Sequence, residues 1–139
     1  MLDRNAIARL IPHQGKSCLL SAVSRWDETT LTAVTDDPRD PTNPYRSHGS
    51  LPPIIGVEMA MQAAALHGAL TSHEVRQGWL ASMRDVHIQC SRLDEPHWGY
   101  LTMTVTQEHN APTGMIYRFS LYAPDARELV TGSGTVMFP

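Results

Sequence analysis

Basic charge is the first thing this chain has little of. Eleven Lys and Arg face fourteen Asp and Glu, a formal charge of -3, so no positive field exists to hold a phosphate backbone and nucleic acid is excluded as a natural partner. Cysteine is scarce too. Cys18 and Cys90 are the only two, too few for a disulfide framework or a Cys-rich zinc site, and they suit a reducing, cytoplasmic setting. Met1–Asn5 lacks the basic start and apolar run of a signal peptide, so secretion is not expected. The longest apolar stretch, Ile54 to Leu70, is 17 residues long and carries Glu58, Gln62 and His67, each costly in hydrocarbon; a membrane span is not expected. No histidine pair has H-x-x-x-H spacing and no cysteine lies beside a histidine at ligand spacing, so no metal is expected. Gly56, Gly132 and Gly134 form neither a G-x-G-x-x-G nor a P-loop, and no nucleotide cofactor is expected.

What remains is an ordinary folded composition, 42% hydrophobic and 18% charged over 139 residues. That suits one domain spanning 1–139. Asp3 caps a short helix with Ile7, Leu10 and Ile11 on one face, and Pro12 stops it. Ser17–Ala22 and Thr30–Val34 are β-prone runs flanking a polar Arg25–Glu28 turn, which predicts a hairpin. Between Thr35 and Pro53 stand five of the ten prolines, so this stretch is neither helix nor central strand. A loop of that length is expected to be functional or mobile.

From Ile54 the sequence is rich in helix formers and apolar nearly all round, predicting a helix wrapped by other structure. At 1.5 Å per residue it would be roughly 25 Å long. Four alternating segments follow: Trp79–Cys90, Trp98–Thr106, Met115–Ala123 and Leu129–Phe138. In the first, Val86, Ile88 and Cys90 oppose Asp85, His87 and Gln89. The class is α+β, with one long helix wrapped by an antiparallel sheet of about six strands. That is the outline of a hot-dog fold, which by itself assigns no function.

Glu58 is the only carboxylate in the apolar helix, and burying a carboxylate needs a reason. It is either a helix-start residue exploiting the dipole or a general acid or base whose pKa burial raises and the helix N-terminus lowers. Gln62 lies one turn on and shares its face. His48 is the histidine of the loop that feeds this helix; His13 bridges the first helix to the first strand. Either could be simply solvated. His67 reads as a packing histidine, and His73, His97 and His109 as turn residues.

Three segments carry a resemblance that covers nearly the whole chain in order: Ile11-Pro12-His13-Gln14 with Ser17–Leu20, Pro52-Pro53-Ile54-Ile55-Gly56-Val57-Glu58-Met59-Ala60-Met61-Gln62, and Leu80–Val86. Together they resemble the hot-dog 3-hydroxyacyl-[acyl-carrier-protein] dehydratases, nearest to the short type of bacterial aryl-polyene clusters. The Gly-x-Glu-x-x-x-Gln helix start is the most specific part. The resemblance implies a homodimer or heterodimer of hot-dog subunits, acyl carrier protein as partner, and a tunnel for the phosphopantetheine-linked acyl chain. It also implies a histidine from the loop before the helix facing a helix carboxylate, usually across subunits. Glu58 matches the carboxylate and His48 the histidine. Because Ser47-His48-Gly49-Ser50 lacks the family's Phe-Pro, His13, matching its Leu-Pro-His segment, is the alternative. Gly56 and Val57 are expected to offer N–H groups to a developing enolate, and Gln62 to contact substrate. A non-catalytic acyl-binding or structural subunit, and a thioesterase using Glu58 to activate water, remain the other readings.

Overall fold

The computed structural model describes residues 1–13, 15–72 and 78–139; the expectation for His73 lies outside them. The elements are β1 (Leu2–Asp3), α1 (Arg4–Ala8), a 3-10 turn at Gly15–Ser17, β2 (Leu20–Trp26), β3 (Thr30–Thr35), α2 (Ile55–Ser72), β4 (Trp79–Ile88), β5 (Thr102–Ala111), β6 (Gly114–Tyr122) and β7 (Glu128–Met137). One sheet runs β1-β2-β3-β5-β6-β7-β4. All its neighbours are antiparallel. The expected six strands are all present, with the two-residue β1 as a seventh.

Alanines at 60, 63, 64 and 69 line buried parts of α2. Alanine has the highest helix propensity and loses no side-chain entropy, and its small size lets the helix lie close to the sheet. At 18 residues, α2 is about 27 Å long. Leu31, Ala33, Met103, Val105 and Leu121 on β3, β5 and β6 are fully buried beneath it. Among the described residues no helix is long and apolar enough to cross a membrane.

The strand boundaries differ from expectation for identifiable reasons. Asp27 Oδ1 accepts from the backbone N–H groups of Thr29 and Thr30 at 2.9 and 2.8 Å, which moves the first hairpin's turn to Asp27–Thr29. Arg25 and Trp26 are therefore strand, and Ser17 falls in the 3-10 turn. Leu101 is drawn onto Thr35, whose N–H donates to its carbonyl and whose Oγ1 accepts its N–H, so β5 starts at Thr102 rather than Trp98. It runs on to a tight turn at Pro112-Thr113, placing His109 in a strand. In β4 the alternation breaks at Asp85, whose φ of 53° marks an irregularity between Arg84 and His87. A bulge re-aims the residues after it, and Ile88 is left 46% exposed.

The proline-rich stretch is built, not slack. Asp37-Pro38-Arg39, Asp40-Pro41-Thr42 and Asn43-Pro44-Tyr45 repeat one device: each Asx side chain accepts the N–H two residues on. Each Asx carbonyl also accepts the N–H three residues on. Asp94 then fastens the loop's end, accepting from Leu51 N–H, Arg46 and both donors of Arg92 at 2.9–3.0 Å.

Candidate active site

The first helix ends at Ala8 with Arg9 as its C-cap, short of the expected stop at Pro12, so Leu10 and Ile11 lie in the turn and bend that follow and lead to His13 beside the start of α2. Arg4 holds the following residues, donating to the carbonyls of Gly15 and Cys18 at 3.0 and 2.8 Å. Gln62, fully buried, completes the attachment: its Oε1 accepts from Leu19 N–H at 2.7 Å and its Nε2 donates to the Ser17 carbonyl at 2.8 Å. The segment carrying His13 is thereby pinned to α2 one turn past Glu58. His13 Nε2 lies 3.1 Å from Glu58 Oε1, and Gln62 Nε2 donates to the same oxygen at 3.4 Å. Sequence spacing alone gives no hint that 45 residues of separation close in this way.

Both side chains of the pair remain about one-third exposed, at 28% for His13 and 33% for Glu58. They sit at a cleft of about 260 Å³ running along α2. Glu58, Met61, Ala65, Gly68 and Ser72 form its helix side, at the three- and four-residue steps of one helical face. Leu80, Met115, Val136 and Phe138 close it from the sheet. The combination is an apolar groove with one acid–base pair, the usual build of a small-molecule site.

The electrostatics differ from expectation. Burial does push the Glu58 carboxyl up, but the hydrogen bond from His13 outweighs it, Gln62 adds to the effect, and the group lies below its ordinary value. Glu58 is thus a carboxylate near neutral pH. Tyr45, which sequence reasoning did not single out, comes near Glu58 from the proline-rich loop; burial raises its phenol and the Glu58 charge raises it further.

His48 is exposed. Its Nδ1 bonds the neighbouring Ser47 hydroxyl at 2.9 Å, and it is not part of the cleft lining. Gly56 faces the sheet: a Cβ there would come within 3.1 Å of Leu121 Cδ2 and 3.2 Å of Val130 Cγ2. Glycine at 56 thus serves helix–sheet contact. The N–H groups of Gly56 and Val57 already donate to the carbonyls of Pro53 and Ile54 at 2.9 and 3.0 Å, so in this structure they are not free donors for an enolate. Val57 does line the cleft, whereas Gln62 acts behind it on backbone and on Glu58. His67 is wholly buried and wholly bonded, with Nε2 donating to the Asp27 carbonyl at 2.9 Å and Nδ1 accepting from Tyr117 O–H at 2.8 Å. Among the described residues no group of three or more His, Cys, Asp or Glu could hold a metal ion.

A single long helix wrapped by an antiparallel sheet, with a carboxylate on the helix facing a cleft, defines a hot-dog protein. The chain belongs to the ApeP-like family, described as ApeP dehydratase, which matches residues 5–139. Among solved structures it is similar to the dehydratase heterocomplex ApeI:P from Xenorhabdus doucetiae, with a TM-score of 0.83 at 20% identity over 96% of this chain and 90% of that one. A thioesterase from Haemophilus influenzae aligns with a TM-score of 0.67 at 13% identity, covering 99% and 92% of the two chains. The E. coli PaaI protein of the phenylacetic acid degradation operon aligns at 0.62 and 11% identity, covering 84% and 81%. A comparison with curated proteins finds no match.

Proposed function

We propose that this protein removes water from 3-hydroxyacyl thioesters carried on the phosphopantetheine arm of acyl carrier protein, giving trans-2-enoyl thioesters in cytoplasmic fatty-acid or polyene biosynthesis. The observation that carries the reading is the His13–Glu58 contact of 3.1 Å at an apolar cleft. Elimination breaks the C2–H bond, forms C2=C3 and breaks C3–O, so a proton must leave carbon and one must reach the departing hydroxyl. A carboxylate and an imidazole in direct contact supply proton acceptor and proton donor, while the groove along α2 takes the acyl chain and sheds water from it. Of the two histidines, His13 is the one we place in the reaction, because it already stands on Glu58.

The working unit is a dimer of hot-dog subunits. Strand β4 lies at the sheet's edge, with no strand on its outer side among the described residues, and Trp79 and Leu80 are 53% and 37% exposed. A long edge with apolar side chains is a template for pairing with another chain, and the similar ApeI:P structure is a heterocomplex.

The test is incubation with a 3-hydroxyacyl carrier protein, alone and with a hot-dog partner subunit, and analysis of the carrier by mass. Loss of one water is the expected result. Release of the free carrier thiol would instead make the protein a thioesterase, as several structural neighbours are. An unchanged carrier in both incubations would leave it an acyl-binding or structural subunit.

A further inference from the structure

Away from Glu58 the cleft is crossed by a row of side chains held in register over four strands. Asn110 on β5 pairs with Met115 on β6, Met115 with Val136 on β7, and Val136 with Leu80 on β4; all four line the cleft. Met115 is the member that reaches the helix. A Cβ built on Gly68 would stand 3.0 Å from its Cε and 3.7 Å from its Sδ, so the thioether end fills the space that a larger residue at 68 would need.

Methionine has three rotatable side-chain bonds and ordinarily adapts to its surroundings. Here it is held. Gln107 Nε2 donates to Met115 Sδ at 3.3 Å and to the Tyr117 oxygen at 3.0 Å. The Asp27 carbonyl can only accept, so His67 Nε2 donates to it at 2.9 Å, and the neutral ring that burial favours accepts at Nδ1 from Tyr117 O–H at 2.8 Å. With its own proton on His67, the Tyr117 oxygen takes one Gln107 N–H and the other is left for the sulfur. Tyr117 also stands 3.6 Å from Sδ, a contact that its committed proton cannot serve. A buried polar chain in which every donor is used is rigid, and this one ends on the thioether in the cleft.

Resting on the reading of this cleft as an acyl site, we propose that Met115, held against Gly68 by Gln107 and Tyr117, sets the longest acyl chain the protein accepts.

The limit follows from the helix. Gly68 lies ten residues past Glu58 on α2, about 15 Å along the axis. Contact with the Met115 methyl group takes about 3.5–4.0 Å of that, and an extended chain advances about 1.2 Å per bond. With C3 beside Glu58, about nine further carbons fit, a limit near 12 carbons. Gln107 and Tyr117 are positioning residues, acting on the chain only through Met115.

Binding tests this apart from the chemistry. Saturated acyl pantetheine amides of about 8 to 16 carbons, a span that brackets the limit worked from the helix, carry an amide in place of the thioester and no 3-hydroxyl, so they neither lose water nor release a thiol. Calorimetry on the full chain, in the same assembly throughout, gives the affinity at each length. Each methylene buried strengthens binding about fourfold, so wild type is expected to gain up to about 12 carbons and then stop. Met115→Ala is expected to move that break out by about two or three carbons, raising the affinity for 16 carbons relative to 12 by about tenfold or more. Gly68→Ala favours the helix and so covers the case in which Met115→Ala fails to fold. Its methyl group and the displaced Cε both take cleft space, and the break is expected to move inward by about one or two carbons. Gln107→Leu is expected to flatten the break, whereas equal weakening at every length would make Gln107 merely structural and overturn its positioning role. A wild-type series without a break, or a break that stays in place in both Met115→Ala and Gly68→Ala, would overturn the proposal and leave the dehydratase reading standing. No binding at any length would overturn the acyl reading of the cleft itself, and the proposal with it.

Discussion

Replacing Gln62 by methionine keeps the length and unbranched shape of the side chain and removes its amide. Leu19 N–H then loses its 2.7 Å acceptor at a residue only 1% exposed, where water cannot take over. An unsatisfied buried donor costs about 1–3 kcal/mol. The Ser17 carbonyl, half-buried, also loses its 2.8 Å donor but can turn to solvent, adding about 0–1 kcal/mol. The expected destabilisation is about 1–4 kcal/mol. With a urea m value of about 2 kcal/mol per M for a chain of this size, the unfolding midpoint falls by roughly 0.5–2 M at fixed protein concentration. Urea titration followed by tryptophan fluorescence measures it. Turnover should fall by more than the unfolded fraction explains, because the segment holding His13 is released from α2. A loss below about 0.5 kcal/mol would refute the claim that this side chain pins the segment.

Gly56→Ala places a methyl group 3.1–3.2 Å from Leu121 and Val130 and is expected to cost about 1–2 kcal/mol in the same titration through overpacking. Asp94→Ala removes the acceptor shared by Leu51 N–H, Arg46 and Arg92; a loss of about 3 kcal/mol is expected, reduced from the cost of a fully buried pair because both arginines are partly exposed, and hydrogen exchange should show the proline-rich loop loosened. Burial holds the His67 ring below its ordinary pKa of 6.5, so the unfolded chain takes up a proton there before the native one does. Its contribution is therefore full above about pH 6.5 and is lost as pH falls toward the lower native value; thermal unfolding between about pH 7 and 5 should show this slope, and His67→Gln should flatten it.

The architecture was legible because it rests on local patterns. An alanine-rich apolar run can only be a covered helix, and the later strands show a period of two broken by Asp, Pro and Gly turns. Asp85 escaped that reading because a bulge depends on the partner strand β7 rather than on the residues of β4. The Asx-Pro repeat at 37, 40 and 43 was visible in the letters, but prolines alone signal only the absence of helix. At the site, Glu58 stood out as a lone carboxylate among apolar neighbours. Its partner was legible only as the second of two candidate histidines, through the Leu-Pro-His resemblance: the contact with His13 depends on Gln62 reaching backbone atoms at Ser17 and Leu19, a tertiary closure that leaves no periodic trace. His48, nearer in sequence, is turned to solvent by a left-handed backbone with φ of 53° and bonds its neighbour Ser47. The direction of the Glu58 pKa was equally hidden, since it follows from donors supplied across that closure.

The central claim is that the carboxylate on α2 carries out the elimination. Rapid-quench measurement of a single turnover on a 3-hydroxyacyl carrier protein, with wild type and Glu58→Gln compared at equal folded concentration and in the same assembly, tests it most directly. The account predicts enoyl product from the wild type and a rate lower by at least about 10²-fold in the variant; equal rates in the two would contradict it.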